Sequence, residues 1–134
     1  MSTERSPRLR AVRGAITVDA DDPATIVAAT ERLLAEVLQS NHVAPEDLVS
    51  IVFTSTPDLT AEFPAAAARR LALDGVPLLC ASEIDVPGAL PRCIRVLAHL
   101  YSPRARDELV HPYLGGARVL RDRAGGISEP ELEA

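Results

Sequence analysis

The sequence predicts an α+β domain of five strands and two helices. Three observations point there. Apolar residues recur with period two in some segments and at helical spacing in others. The two kinds of segment do not strictly alternate along the chain, which argues against a doubly wound α/β fold. The length, 134 residues, fits one domain. A chain of this size buries roughly two-thirds of its unfolded surface around a single core.

Each element follows from local pattern. Residues 1–8 are polar with a Ser-Pro and read as frayed, so the domain is expected to span residues 9–121. Leu9–Val18 has strand character, with Val12, Ile16 and Val18 on one face and Ala11, Arg13, Ala15 and Thr17 on the other. Asp22-Pro23 is an N-cap followed by proline at the first helical position. Ile26, Val27, Thr30, Leu33, Leu34, Val37 and Leu38 then trace the apolar stripe of a helix ending near Asn41. Leu48–Thr56 reads as a buried strand. Pro64 opens a short alanine-rich helix that stops at Asp74-Gly75. Val76–Ala81 is a third strand. Cys93–Tyr101 is a fourth, with Cys93, Arg95, Leu97 and His99 facing one way and Ile94, Val96, Ala98 and Leu100 the other. Gly116–Arg121 completes the expected five, and residues 122–134, with Gly125-Gly126 and three glutamates, read as a mobile tail.

Composition excludes several functions. The net charge is -5 and the aromatics are only Phe53, Phe63, Tyr101 and Tyr113, which speaks against nucleic-acid binding. No run approaches the ~18 apolar residues of a membrane span. The start, MSTERSPRLR, lacks the apolar core of a secretory signal, so a cytoplasmic protein with reduced Cys80 and Cys93 is expected. Lysine is absent: all 14 basic residues are arginine. Schiff-base chemistry and a phosphate-loop lysine are thereby removed. Cys80, Cys93, His99 and His111 do not have zinc-ligand spacing, so no metal is expected.

The arginines carry the remaining chemistry. Arg13 and Arg95 lie mid-strand, where a charge is expensive unless paired or met by a ligand. A lone strand arginine is usually half of a structural ion pair. Two that converge make a carboxylate-binding floor. Both readings stay open on residue pattern alone; in the first, Glu83 could simply pair with Arg95 or Arg13.

Five segments in register resemble the trimeric α+β class of chorismate mutase: RAVRGA (10–15), TSTPDLTAEFP (54–64), VPLLCASEIDV (76–86), CIRV (93–96) and HPYLGGARVLR (111–121). The resemblance covers about residues 9–121. It implies a small mixed five-stranded sheet packed on helices, a barrel-like homotrimer with sites in the subunit clefts, and the Claisen rearrangement of chorismate to prephenate in aromatic amino-acid biosynthesis. It implies no cofactor. By motif position Arg13 would clamp a carboxylate and Arg95 would hold a carboxylate and the ether oxygen. Glu83, with the Cys80 thiol nearby, would take the ring hydroxyl, and Tyr113 would bond a carboxylate. Phe63, Ala65, Leu78 and Leu79 would form a wall given by the neighbouring subunit, and Leu120 and Arg121 would close the site. The class often has a lysine where this chain has Ala66. Arg69 and Arg70 are the nearest replacements, although a solvated helix face is the plainer reading. Two alternatives share the barrel-like trimer: an imine deaminase that clamps a carboxylate, and a non-enzymatic metabolite-binding module.

Overall fold

A computed structural model describes residues 5–73 and 75–120. Five strands, β1 (Arg8–Thr17), β2 (Leu48–Ser55), β3 (Leu78–Ser82), β4 (Cys93–Ser102) and β5 (Tyr113–Leu114), form one sheet in the order β3-β2-β4-β1-β5. The central strand β4 runs antiparallel to both β1 and β2, while the outer pairs β2–β3 and β1–β5 are parallel. The mixed sheet is therefore as the resemblance implies.

Helix α1 (Pro23–Ser40) begins where expected, with the Asp22 carboxylate accepting from Thr25 N–H at 2.8 Å. Its buried stripe is Ile26, Thr30, Leu33, Leu34 and Val37. The stripe meets the strand residues that face it: Val12, Ile16, Ile51, Phe53, Ile94, Val96, Ala98 and Leu100. Each such aliphatic side chain contributes about 1.5–3 kcal/mol on burial. All of this packing lies on one face of the sheet. On the other face Leu9, Leu79, Leu97 and Tyr101 are exposed, and Leu79 keeps 63% of its surface in water.

Two expectations need correction. The alanine-rich segment is a 3-10 helix, Pro64–Leu71, which ends at Ala72 in the left-handed conformation (φ 57°) rather than at Asp74-Gly75. It has no side-chain N-cap and is too short to repay α-helical nucleation, so the tighter form suffices to bury Ala67 and Ala68. The fifth strand is Tyr113–Leu114, not Gly116–Arg121. Gly115 takes φ 59° and turns the chain into a 3-10 segment, Gly115–Ala117, and Gly116 N–H donates to Thr17 Oγ1 at 2.8 Å. A Cβ at Gly116 would sit 3.0 Å from that oxygen, tight enough that the Thr17 hydroxyl would have to shift.

Asn41 closes the helix C-terminus from inside. Its side chain is buried, donates to Val37 O and Val110 O at 2.9 Å each, and accepts from Val110 N–H at 2.8 Å. The helix end is thereby tied to the segment that leads into β5. Asn41→Ala removes three hydrogen bonds, the one to Val37 O buried, and the protein should lose about 3 kcal/mol of unfolding free energy in urea titration.

Candidate active site

Pairing across the sheet brings distant residues into rows. Ala81 of β3, Thr54 of β2, Arg95 of β4, Ala15 of β1 and Tyr113 of β5 are consecutive partners in one row. Leu79, Val52, Leu97 and Arg13 form the next row on the same open face. Period two on every strand then points Arg13, Arg95 and Tyr113 the same way. Glu83 follows β3 directly, and its N–H donates to Ser55 O at 2.9 Å, so the pairing continues one residue past the strand.

These side chains surround a cavity of about 620 Å³ lined by Arg13, Thr54, Glu83, Arg95 and Tyr113, with Val86 and Leu97 among its apolar walls. Arg95 Nε lies 3.0 Å from Glu83 Oε2, and Thr54 Oγ1 donates to the same oxygen at 2.5 Å. The Arg95 side chain is 45% exposed and that of Glu83 19%. Two guanidinium groups and one carboxylate leave the cavity with one net positive charge. The two strand arginines thus converge on one cavity, and Arg95 is paired with Glu83.

The surroundings fix protonation. Cys93 lies buried with Ala15, Tyr113 and Ala117, and partly buried Leu120 packs against this cluster. Burial pushes the Cys93 thiol up to about 11, against the lowering effect of Arg95, so it stays a thiol. His111 Nδ1 accepts from Arg13 N–H at 3.1 Å, which assigns the ring proton to Nε2 in the neutral imidazole. Burial, followed by the charge of Arg13, holds this imidazole below the usual histidine range.

The other expected site residues lie elsewhere. Phe63, Ala65, Ala66 and Leu78 line a separate recess with Arg69, and Phe63 is 70% exposed. Arg70 points instead at Glu31 of α1, 3.2 Å away. Cys80 is not in the cavity of Glu83: alternation along β3 turns it toward the core side, where it lines another recess beside Phe63. Leu79, next to Leu78, takes the opposite face and joins the row of Arg13. Arg121 and the tail lie outside the described residues. Thr54, Val86 and Ala89 were missed in the sequence. For Thr54 the available signal was its period-two kinship with Ser50 and Val52, hidden because Leu48–Thr56 reads as a continuous buried run. Among the described residues no group of three His, Cys, Asp or Glu side chains could hold a metal ion, and no helix is long and apolar enough to cross a membrane.

Residues 9–124 match the family model of type I chorismate mutase. The chain belongs to that family. It is 47% identical to chorismate mutase AroH of Thermus thermophilus over 94% of this chain and 98% of the relative. It is 41% identical to chorismate mutase AroH of Bacillus subtilis (strain 168) over 92% and 98%. A solved chorismate mutase from Clostridium thermocellum superposes with a TM-score of 0.80 at 45% identity, covering 81% of this chain and 97% of that one. In this type I chorismate mutase the matched region contains all of the sheet but Arg8, and every lining residue of the Arg95 cavity.

The state of His111 has a consequence for pH. Its folded-state proton affinity is lowered, so the unfolded chain binds more protons and stability falls as pH drops through the ordinary histidine value of about 6.5. Asp22, Asp58 and Glu108 are also held low, chiefly by hydrogen bonds, but they act only in the carboxylate range below about pH 4. Urea midpoints should therefore fall between pH 7.5 and 5.5. His111→Asn, which keeps an acceptor for Arg13 N–H, should flatten that slope.

Proposed function

We propose that the chain performs its family's reaction, chorismate to prephenate, in the Arg95 cavity. The single observation that carries this assignment is the convergence of Arg13 and Arg95 on one open sheet face, with Glu83 and Tyr113 completing the polar walls. The rearrangement breaks one C–O bond and forms one C–C bond within a single molecule. No atom is gained or lost, and no nucleophile or proton carrier takes part. Two things lower its barrier. One is a cavity that holds the chair-like conformer, an orientation effect. The other is fixed positive charge where the ether oxygen gains negative charge.

Arg95 supplies that charge. It stands on the central strand, so its backbone is braced from both sides. Arg13 takes a substrate carboxylate, and Tyr113 bonds a carboxylate from the far end of the row. Glu83 receives the ring hydroxyl. Guanidinium suits these tasks because it is planar and stays charged. Leu120, packed beside Tyr113, closes the site together with Arg121. The pathway role is aromatic amino-acid biosynthesis in the cytoplasm, carried out by residues 9–121 as one catalytic unit with residues 122–134 as an appended tail.

A homotrimer completes the cavity. Two features support it: the uncovered sheet face with exposed Leu9, Leu79, Leu97 and Tyr101, and the separation of Phe63, Ala65, Ala66, Leu78 and Cys80 from Arg95 within one chain. A neighbour's Phe63 wall laid against the Arg95 cavity encloses a substrate that one protomer leaves half in water. Arg69, in the same recess as Ala66, brings a cation where the class often has lysine.

Purified protein in EDTA should convert chorismate to prephenate, followed by loss of chorismate absorbance and identification of the product. Unchanged chorismate at micromolar enzyme returns the chain to the imine-deaminase or metabolite-binding alternatives. Arg95→Ala should lower kcat by about 10²–10³, and Arg95→Lys should recover little of it. Light scattering should give three times the chain mass; a monomer at assay concentration overturns the shared-site arrangement.

A further inference from the structure

We infer that Thr54 is a positioning residue, which sets the orientation of the Glu83 carboxylate and so keeps the Arg95 guanidinium presented to the substrate. The inference rests on the functional reading given above. Its basis is a three-membered chain of contacts. Thr54 and Arg95 are direct cross-strand partners in the row that crosses all five strands. The Thr54 hydroxyl donates to Glu83 Oε2 at 2.5 Å, and Arg95 Nε meets that same oxygen at 3.0 Å. One carboxylate oxygen thus carries both partners, and Oε1 is left for a ligand.

The mechanics of the three residues differ. Glu83 lies beyond the end of β3 and reaches the cavity through three rotatable bonds, so its backbone alone cannot fix the carboxylate. Thr54 is β-branched and stiff at χ1, and it stands on β2 between β3 and β4. Its hydroxyl is therefore an anchor that moves with the sheet. Arg95 is half exposed and has more freedom than either. Without the hydroxyl, the carboxylate is free to turn both oxygens onto the guanidinium fork, the geometry that pair prefers. Such a closed pair screens the charge that the breaking ether bond needs. With the hydroxyl in place, Oε2 is approached from two sides, and the pair stays one-oxygen and open.

Thr54 itself touches no reacting atom in this scheme. Its effect should appear in kcat more than in KM, because charge on the ether oxygen develops only as the bond breaks. Thr54→Val keeps the shape and removes the hydroxyl. It should lower kcat about 10–100-fold, the range expected for one hydrogen bond to a charged group, with KM changed by less than about threefold. Thr54→Ser should restore most of the rate. In a Glu83→Ala background, Thr54→Val should cost nothing further, since the hydroxyl acts through that carboxylate. Should Thr54→Val fail to fold, Thr54→Ala carries the same expectations. Unchanged kcat, no rescue by serine, or an equal loss in both backgrounds overturns the inference. A crystal structure of the Thr54→Val protein reads it without activity: the Glu83 carboxylate should turn to a two-oxygen pair with Arg95, and an unmoved carboxylate overturns it. A wild-type chain that leaves chorismate intact overturns the functional reading instead.

Discussion

Strand β4 is hydrogen-bonded along both edges, to β1 and to β2, and can neither slip nor rotate without breaking two ladders. Its alternation is therefore rigid. Ile94, Val96, Ala98 and Leu100 must enter the core under α1, and Arg95, Leu97 and His99 must leave it. A register shift of one residue would drive a guanidinium into the aliphatic core, at a cost far above the stability of a small domain. The hydrophobic effect on one face thus fixes where the charge stands on the other. The neighbouring strands obey the same constraint, which is why Thr54 and Tyr113 fall into the row of Arg95 and Arg13 into the next.

The cavity that results is electrostatically lean. One carboxylate faces two guanidinium groups, the nearby thiol is held protonated by burial, and the imidazole behind Arg13 is held neutral. Fixed charge of this kind suits a reaction in which charge shifts within a substrate and no proton changes hands. The supporting shell is built from backbone pairing: Glu83 N–H extends the β3 ladder, and Ala15 N–H donates to Pro112 O at 3.0 Å to bring the chain alongside β1 ahead of Tyr113.

Much of this was legible in the sequence because alternation is a local signal. The two faces of β1 and β4 could be assigned from Val12, Ile16, Ile94 and Val96 alone, and the helix from Asp22-Pro23 and its apolar stripe. The fifth strand was misplaced because Ala117, Val119 and Leu120 mimic a strand, while the turn depends on the positive φ of Gly115 and on Gly116 N–H meeting Thr17, about a hundred residues away in the chain. The convergence of Arg13 with Arg95 required the strand order, which no local pattern encodes. Cys80 was set beside Glu83 by motif position in the resemblance. In the fold, three positions along an extended chain place the two on opposite faces.

The buried thiol has one more consequence. Cys93 sits two residues from the cationic side chain that defines the cavity, a setting that in an exposed cysteine would invite oxidation. With its ionisation pushed up to about 11, only about one molecule in ten thousand carries the thiolate at neutral pH. Peroxides attack that form, and this one is also shut away from solvent. The sheet thus keeps a close-packed sulfur beneath Tyr113, outside the cavity lining, without acquiring a redox liability.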